Sequence, residues 1–265
     1  MCQDQSSQIP EVTQFICKYA GHLMGCGVQT SRVVRNSQRI ADSFGLAAAI
    51  STLGRTMTVT VKQKNLSRKD DPREAIFTRT FQIKPGSIRF AHNANLSALS
   101  WEIYDKHLPL NECWTRYYEE TGKPLLNPLL IALLASLANL SFCRLFGGNA
   151  LAMLIVFLST AIAFRVRQVW GHHLTLYMQT ITTAFFASMM CSVGLYVLPS
   201  SQAEIVLITS VLFLIPGVPL VNGVVDMMEG FTLVGLSRLI RATILILCIA
   251  VGLGGTLVIF NNSLL

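Results

Sequence analysis

The sequence predicts a membrane all-α bundle of five transmembrane helices preceded by a small cytosolic α+β domain. Charge is the first reason: of 21 lysines and arginines, 16 lie in residues 1–123, as do 11 of the 14 acidic residues. The second reason is that the rest of the chain holds five nearly uncharged stretches, each about one membrane thickness long. Within a bilayer no water is present to pair with backbone groups, so a spanning segment must be a helix or part of a closed barrel. These stretches lack the alternating pattern of barrel strands, so we expect helices.

The first 123 residues have the composition of an ordinary charged domain, and about 120 residues suffice to bury a modest core. We therefore place a cytosolic domain at 1–123 and a transmembrane domain at 124–265. The opening segment 10–26 is predicted to be a helix because Val12, Phe15, Ile16 and Ala20 fall on one of its faces.

A second helix is predicted to begin at Thr30 or Ser31, because either hydroxyl can cap a helix N-terminus. Its apolar stripe would consist of Val33, Val34, Ile40 and Phe44, and its polar side of Arg32, Arg35 and Arg39. Strand-like runs follow at 46–52, 56–61 and 75–83, with a polar loop at 62–74. Two more helices are predicted, one within 87–107 and one at 110–121.

The five spans are predicted at about 124–143, 147–164, 174–198, 205–226 and 242–261. Basic residues collect on the side that faces the N-terminal domain: Arg165 and Arg167 follow the second span, while Arg238 and Arg241 precede the fifth. The opposite side has only Arg144. No secretory signal peptide is evident in the polar residues 1–14, so the positive-inside rule predicts a cytoplasmic N-terminus and a C-terminus on the other side.

Several other chemistries are not indicated. The net charge of +7 is dispersed and partly explained by topology, so we predict no nucleic-acid partner. The seven cysteines form no C-x-x-C pair, which favours free thiols. His22, His92 and His107 have no partner at metal-ligand spacing, and no H-E-x-x-H, P-loop or G-x-G-x-x-G motif occurs. We therefore predict no enzyme, no catalytic residue, no metal and no cofactor.

Polar residues in the first and third spans are weaker indications of a transport path than the motif of the fourth span described below. They are Ser136, Asn139 and Ser141 in the first span and Gln179, Thr180, Thr182 and Thr183 in the third. They could line a path or join helices, and we favour joining. His172 and His173 lie near the surface after the second span, and the glycines at 252, 254 and 255 permit close helix approach.

The fourth span contains the most informative motif. Pro216, Gly217 and Pro219 fall within four residues, and each proline removes a backbone donor and clashes with the preceding turn. We expect the helix to break near Pro216 and to expose backbone groups of the kind that transporters use to bind ions and carboxylates. Asn222 and Asp226 follow Pro219 at i+3 and i+7 and share its face. The alternative is a packing kink, with Asp226 an acid at the inner membrane surface.

This layout resembles the threonine/serine exporter (ThrE) family. The resemblance is carried by segment 25–33, by the pattern Pro-Gly-x-Pro-x-x-Asn-x-x-x-Asp at 216–226, and by Gly230 ahead of an arginine-led last span. It extends over nearly the whole chain and is specific to the short YjjP-like branch, which corresponds to the N-terminal half of full-length members. It implies a bacterial inner-membrane exporter that acts with a small YjjB-like membrane subunit. The implied cargo is threonine or serine, or succinate in the short branch.

Our leading hypothesis is a subunit of a secondary exporter for a small carboxylate metabolite, which works by alternating access around the broken helix. Pro216, Gly217 and Pro219 would create the break, Asn222 would bind substrate or hold exposed backbone, and Asp226 would be a proton-coupling or gating acid. The alternative is a membrane-tethered sensor whose cytosolic domain binds a ligand or a protein. An intramembrane aspartyl protease is disfavoured, because it needs two aspartates at membrane depth.

Overall fold

The computed structural model describes residues 2–64, 76–124, 126–171, 174–198 and 202–260, without the side chains of 2–7. His172, His173, most of the loop 62–74 and the tail after residue 260 lie outside the described residues. Contacts divide the chain into two compact units: Met1–Pro124 with Val218–Leu239, and Leu125–Gly217 with Ile240–Leu265. The domain boundary after residue 123 stays a prediction.

The first unit opens with helices α1 (Cys2–Gly25) and α2 (Thr30–Ser43). α1 begins earlier than expected, because the polar residues 2–8 carry no apolar face from which a helix could be predicted. In α2 Val33 and Ile40 are buried as expected, but Phe44 follows the last helical residue as its C-cap.

Arg39 of α2 does not lie on a solvated face, so that expectation was wrong. Its guanidinium carbon lies 3.5 Å from the ring centroid of Trp101, and the group donates hydrogen bonds to Asn36 Oδ1 (3.1 Å) and Ser100 Oγ (2.7 Å). The cause is a tertiary contact, because Trp101 on a neighbouring helix stacks against the Arg39 guanidinium. A planar guanidinium interacts favourably with an aromatic face.

Three antiparallel strands follow in the order β1 (Leu46–Leu53), β2 (Thr56–Gln63) and β3 (Ile76–Gln82). On β2 the fully buried residues Met57, Val59 and Val61 alternate with threonines. The threonines pair across to β3 through side-chain hydrogen bonds of 2.9 and 3.0 Å. The alternation therefore directs one face of β2 into the core and the other toward solvent.

Helices α3 (Phe90–Lys106) and α4 (Leu110–Thr121) complete the core of the first unit. Tyr19 of α1 is fully buried; its hydroxyl donates to the Leu96 carbonyl (2.8 Å) and accepts from Asn36 Nδ2 (3.2 Å). Burial raises the pKa of Tyr19 well above its usual value, so the phenol stays neutral. Phe15, Leu96, Ile103 and the β2 residues pack around it.

The second unit contains α5 (Pro128–Leu145), α6 (Ala150–Trp170), α7 (Leu176–Val197), α8 (Ala203–Ser210) and a 3-10 turn (Leu212–Leu214). Asn127 and Asn149 cap α5 and α6, accepting from the N–H groups of Leu129 (2.9 Å) and Ala152 (2.8 Å). Both caps place the helix start a few residues after the predicted beginning of the span.

The remaining helices are α9 (Gly217–Met228) and α10 (Thr232–Phe260). Among the described residues, α5, α6, α7 and α10 are each long and apolar enough to cross a membrane, and the bent pair formed by α8 with its 3-10 turn and α9 would be a fifth span. α10 begins at Thr232, ten residues before the predicted fifth span, because Arg238 and Arg241 are part of the helix rather than of a preceding loop.

Candidate functional site

The fourth apolar segment is broken at the predicted place. The 3-10 turn ends at Leu214, the following residue Ile215 has an extended conformation (φ −60°, ψ 127°), and α9 starts at Gly217 after Pro216. The two helical pieces are bent by 63°. Proline cannot donate a backbone hydrogen bond, so the α-helical pattern cannot continue through this position.

The five candidate residues differ in burial. Gly217 is exposed, and Pro216, Pro219 and Asn222 are partly buried. Asp226 is completely buried, with 0% of its surface exposed. The break and the acid thus lie at opposite ends of α9, nine residues apart, and only Asn222 joins Asp226 in one bonded cluster.

That cluster forms around the loop between α1 and α2. Gly27 has φ +78°, and the N–H groups of Gly27 and Val28 bond back to the carbonyls of Met24 (3.1 Å) and Leu23 (3.1 Å). This is the hydrogen-bond pattern of a Schellman cap, for which glycine is favoured because of its positive φ. The cap leaves the carbonyls of Gly27 and Val28 available to side chains of α9 and α10.

Asp226 closes the N-terminus of α2. One carboxylate oxygen accepts from the Thr30 backbone N–H (2.8 Å); the other accepts from Thr30 Oγ1 (2.9 Å) and lies 3.1 Å from Nε of Arg238. An anion is favourable at a helix N-terminus because unpaired N–H groups and the helix dipole point toward it. The expected capping by Thr30 or Ser31 was wrong: Gln29 is the N-cap and makes no side-chain cap bond, and the cap comes from Asp226 instead.

Arg238 holds the same loop from α10. Its guanidinium donates to the Val28 carbonyl (2.7 Å) and approaches Met24 Sδ (3.1 Å) while pairing with Asp226. Only 14% of its side chain is exposed. Asn222 adds a bond from Nδ2 to the Gly27 carbonyl (2.7 Å). We call Asp226, Arg238, Asn222, Thr30 and the Gly27–Val28 carbonyls the Asp226 lock.

The turn between α9 and α10 brings Asp226 and Arg238 together. Gly230 has φ +89°, and Phe231 N–H bonds to the Asp226 carbonyl (2.8 Å), which forms a second Schellman cap. The two helices then pack backbone to backbone: a Cβ on Gly235 would lie 2.5 Å from the Gly223 carbonyl oxygen. This close approach places residues 226 and 238 within ion-pair distance.

The lock is charge-balanced and buried, because Asp226 has no exposed surface and pairs with Arg238. A buried carboxylate needs a cation and hydrogen bonds to be tolerated, and both of its oxygens are used. Asp226 is therefore an acid held in place by α2 and α10, rather than an ordinary acid at a solvated surface. Because Asp226 and Asn222 of α9 bond to Thr30 and Gly27, a displacement of α9 would move the α1–α2 loop or would require these bonds to break.

Sequence reasoning missed two members of the lock. Arg238 was interpreted only as a topology signal, and Thr30 only as a local cap. A signal did exist: an aspartate in an apolar helix needs a basic partner, and a Gly230 turn followed by Arg238 offers one on the returning helix.

A second polar cluster lies in the second unit, at the end of α8. Asn139 is 1% exposed and donates to Thr160 Oγ1 (2.8 Å) and to the Thr209 carbonyl (3.0 Å), one of the last carbonyls of α8. Its Oδ1 is buried without a hydrogen-bond partner among the described residues. Asn139 thus joins helices as expected and also leaves one unused buried acceptor.

The other polar residues of the spans form local bonds. Hydroxyls at positions 136, 141, 180, 182 and 183 donate to carbonyls one turn earlier in their own helix, and Gln179 donates to the Arg167 carbonyl (3.1 Å) on α6. The five hydroxyl bonds stay within single helices and do not join helices, whereas the Gln179 bond joins α7 to α6 as expected. At the glycines of α10, a Cβ on Gly252 would meet the Ile181 carbonyl, so α10 approaches α7 closely there.

Two histidines of the first unit contact each other, although the sequence suggested isolated groups. His22 Nε2 and His92 Nε2 are 2.9 Å apart. Burial lowers the pKa of both, and the charge of His92 lowers the pKa of His22 further, with smaller effects of Arg89 and Lys18. Over the described part of the chain, no group of three or more His, Cys, Asp or Glu could hold a metal ion.

The apolar helices and the discontinuous fourth segment define a multi-pass membrane protein. The chain belongs to the threonine/serine exporter family: the model of that family, described as "Putative threonine/serine exporter", matches residues 14–260. The matched region contains the break and every residue of the Asp226 lock. The family resemblance noted in the sequence is therefore confirmed.

Two curated relatives carry a more specific description. The chain is 35% identical over 135 residues to "Probable succinate transporter subunit YjjP" of Escherichia coli (strain K12), and 33% identical over 134 residues to the protein of the same description from Klebsiella aerogenes. The alignments cover 50% and 49% of this chain and 52% of each relative. The chain thus spans about half the length of the curated relatives that it matches. No solved structure matches this chain.

Proposed function

We propose that this protein is a subunit of a secondary exporter for a small carboxylate metabolite. The observation that carries the proposal is the broken helix: a chain of the exporter family interrupts its fourth apolar segment at Pro216 and bends it by 63°. Discontinuous helices in transporters leave backbone carbonyl and N–H groups available to an ionic substrate. Pro216, Gly217 and Pro219 create the break and leave these groups for the substrate.

Of the two roles considered for Asp226, the geometry favours gating over proton coupling. Its carboxylate already accepts two hydrogen bonds and one ion pair, in a position with no exposed surface. Asn222 supports the same connection, because its amide donates to the Gly27 carbonyl one turn before Asp226. In this proposal the lock holds α9 in one position, and its release accompanies the change of access.

The cargo and the partner follow from similarity. The curated relatives are described as subunits of a probable succinate transporter, and the family as threonine/serine exporters. We assign the same cargo class, a small carboxylate, to this chain, with succinate the first candidate and threonine or serine the next. A small YjjB-like membrane subunit would complete the transporter. The orientation is cytoplasmic for residues 1–123 and periplasmic for the C-terminus, in a bacterial inner membrane.

Asn139 is the candidate for contact with substrate in the second unit. Its Oδ1 is buried without a hydrogen-bond partner among the described residues, while its Nδ2 donates to the Thr209 carbonyl of α8. An acceptor there suits a cargo that carries a donor, such as the ammonium group of threonine, better than it suits succinate. Comparing export of the two compounds by Asn139→Leu tests this preference.

The proposal is tested by measuring export. Cells lacking the gene would be complemented with this chain, with the small partner subunit, or with both, and succinate and threonine would be measured in the medium. Only the pair should restore export. The variant Pro216→Ala/Pro219→Ala should reach normal abundance and lose most export, whereas Pro128→Ala, which changes a proline at the start of α5, should keep it. Normal export from the Pro216/Pro219 variant would show that the break serves packing alone.

A further inference from the structure

The first unit contains a cavity that the proposed export path does not use. Its volume is about 640 Å³, and it lies between the second half of α1, the strand β3 with the residues after it, and the middle of α4. Small-molecule sites in proteins usually fall between about 300 and 1,000 Å³, so the cavity has the size of a metabolite site.

The charge of the cavity is one-sided. Lys18, Arg79 and Lys84 line it, and no aspartate or glutamate does. Some other lysines and arginines of the unit are paired with acids: Lys64 with Asp42, Lys106 and Arg116 with Glu102, and Lys123 with Glu120. The three cavity cations have no ion-pair partner among the described residues. They form a basic wall open to an anion.

Aromatic side chains also line the cavity. Trp114 and Tyr118 stack with ring centroids 5.6 Å apart and an interplanar angle of 19°, Tyr117 contacts both rings, and Phe81 is a further lining residue. Aromatic rings offer apolar contact area at little cost in side-chain entropy. A ligand that matches both the cations and the aromatic rings therefore has a negatively charged part and an apolar carbon skeleton.

The cavity is held open by the backbone. Gly86 N–H bonds to the Gly25 carbonyl (2.9 Å), which ties the segment after β3 to the end of α1. At Gly21 a Cβ would lie 2.6 Å from Cε2 of Phe81, so glycine is what lets this ring lie against α1. The site is pre-formed, which reduces the ordering that a ligand must bring about.

We propose that this cavity binds a small organic anion whose carboxylate groups contact Lys18, Arg79 and Lys84 while its carbon skeleton lies on Trp114 and Tyr117. The cavity residues of α1 and α4 lie beyond the first turns of these helices, so no helix N-terminus, the usual cradle for phosphate, lines it. This favours a carboxylate over a phosphate. The inference goes beyond export and does not depend on it, because its test measures binding and not flux.

The test is calorimetric titration of the full-length protein in lipid nanodiscs with succinate as the probe, and in separate titrations with threonine and inorganic phosphate. The variant Lys18→Gln/Arg79→Gln/Lys84→Gln neutralises the three cations that line the cavity, all of which are at exposed positions. The matched control Arg32→Gln/Arg35→Gln/Arg55→Gln removes three exposed charges of the same unit that do not line the cavity.

Saturable succinate binding that weakens by roughly tenfold or more in the cavity variant, and is retained in the control, is the expected result. A second variant, Gln14→Trp, fills the cavity without changing charge and should weaken the same binding. Equal binding to the wild type and the cavity variant would place succinate elsewhere and overturn the proposal. Absence of succinate binding, or phosphate binding as strong as that of succinate, would overturn it as well.

Discussion

The Asp226 lock makes a quantitative prediction about stability. Asp226→Ala removes the acceptor of the Thr30 N–H and Oγ1 bonds at the start of α2 and leaves Arg238, with only 14% of its side chain exposed, without this anion. Loss of a helix cap costs about 1 kcal/mol, and removing one partner of a buried ion pair costs about 3–5 kcal/mol. Because the two terms share the same carboxylate, we expect about 3–5 kcal/mol in total and not their sum.

The assay is thermal unfolding of the purified full-length protein in nanodiscs. For a protein of this size, 1 kcal/mol corresponds to a shift of about 2–4 °C in Tm, so Asp226→Ala should lower Tm by roughly 6–20 °C. Arg238→Ala should lower it by a similar amount. The double variant should cost less than the two single changes added together, by about 1–3 kcal/mol, because the partners act on each other.

Glu229→Gln is the matched control, since it neutralises an exposed acid three residues beyond Asp226 and should leave Tm unchanged. Asp226→Asn keeps one oxygen for Thr30 N–H and should fall between the wild type and Asp226→Ala. A Tm for Asp226→Ala within about 2 °C of the wild type, or strictly additive single variants, would refute the reasoning that the carboxylate is buried and paired.

Three further predictions concern other contacts of the same unit. Gly235→Ala should destabilise the protein by about 1–3 kcal/mol, because the new Cβ would lie 2.5 Å from the Gly223 carbonyl oxygen. Gly254→Ala is the control, since its Cβ would have nothing within 4 Å. Equal Tm values for the two variants would contradict the close helix approach. Arg39→Lys should lower Tm although the charge is kept, since an ammonium cannot reproduce the planar stack on Trp101 with bonds to Asn36 and Ser100; exposed Arg35→Lys is the control. The pKa values of His22 and His92 are lowered in the fold, so their contribution to stability is present above the ordinary value of 6.5 and is lost as pH falls below it. Acidification from about pH 7.5 to about pH 5.5 should therefore lower Tm less in His22→Gln/His92→Gln than in the wild type, and an equal drop would assign the acid sensitivity to other groups.

Local sequence patterns were sufficient to predict the elements whose cause is local. The alternation of Met57, Val59 and Val61 with threonines defines β2, because a strand turns successive side chains to opposite faces. Long uncharged stretches define the apolar helices, and Pro216 predicts the break, because proline lacks a backbone donor and disfavours a helical conformation in the residue before it. The layout, segment 25–33, the pattern at 216–226 and Gly230 ahead of the last span carried the resemblance to the family that is confirmed over residues 14–260.

Which distant groups come into contact depends on the folded chain. Asp226 and Thr30 are 196 residues apart, and no local pattern states that one caps the helix of the other. In the sequence Arg238 indicates only topology and Arg39 a solvated cation, but Arg238 pairs with a carboxylate and Arg39 stacks on an indole ring, each from another element. The reason is physical: helix propensity and hydrophobic period act between near neighbours, whereas ion pairs, caps supplied by other helices and cavities depend on contacts that chain folding creates.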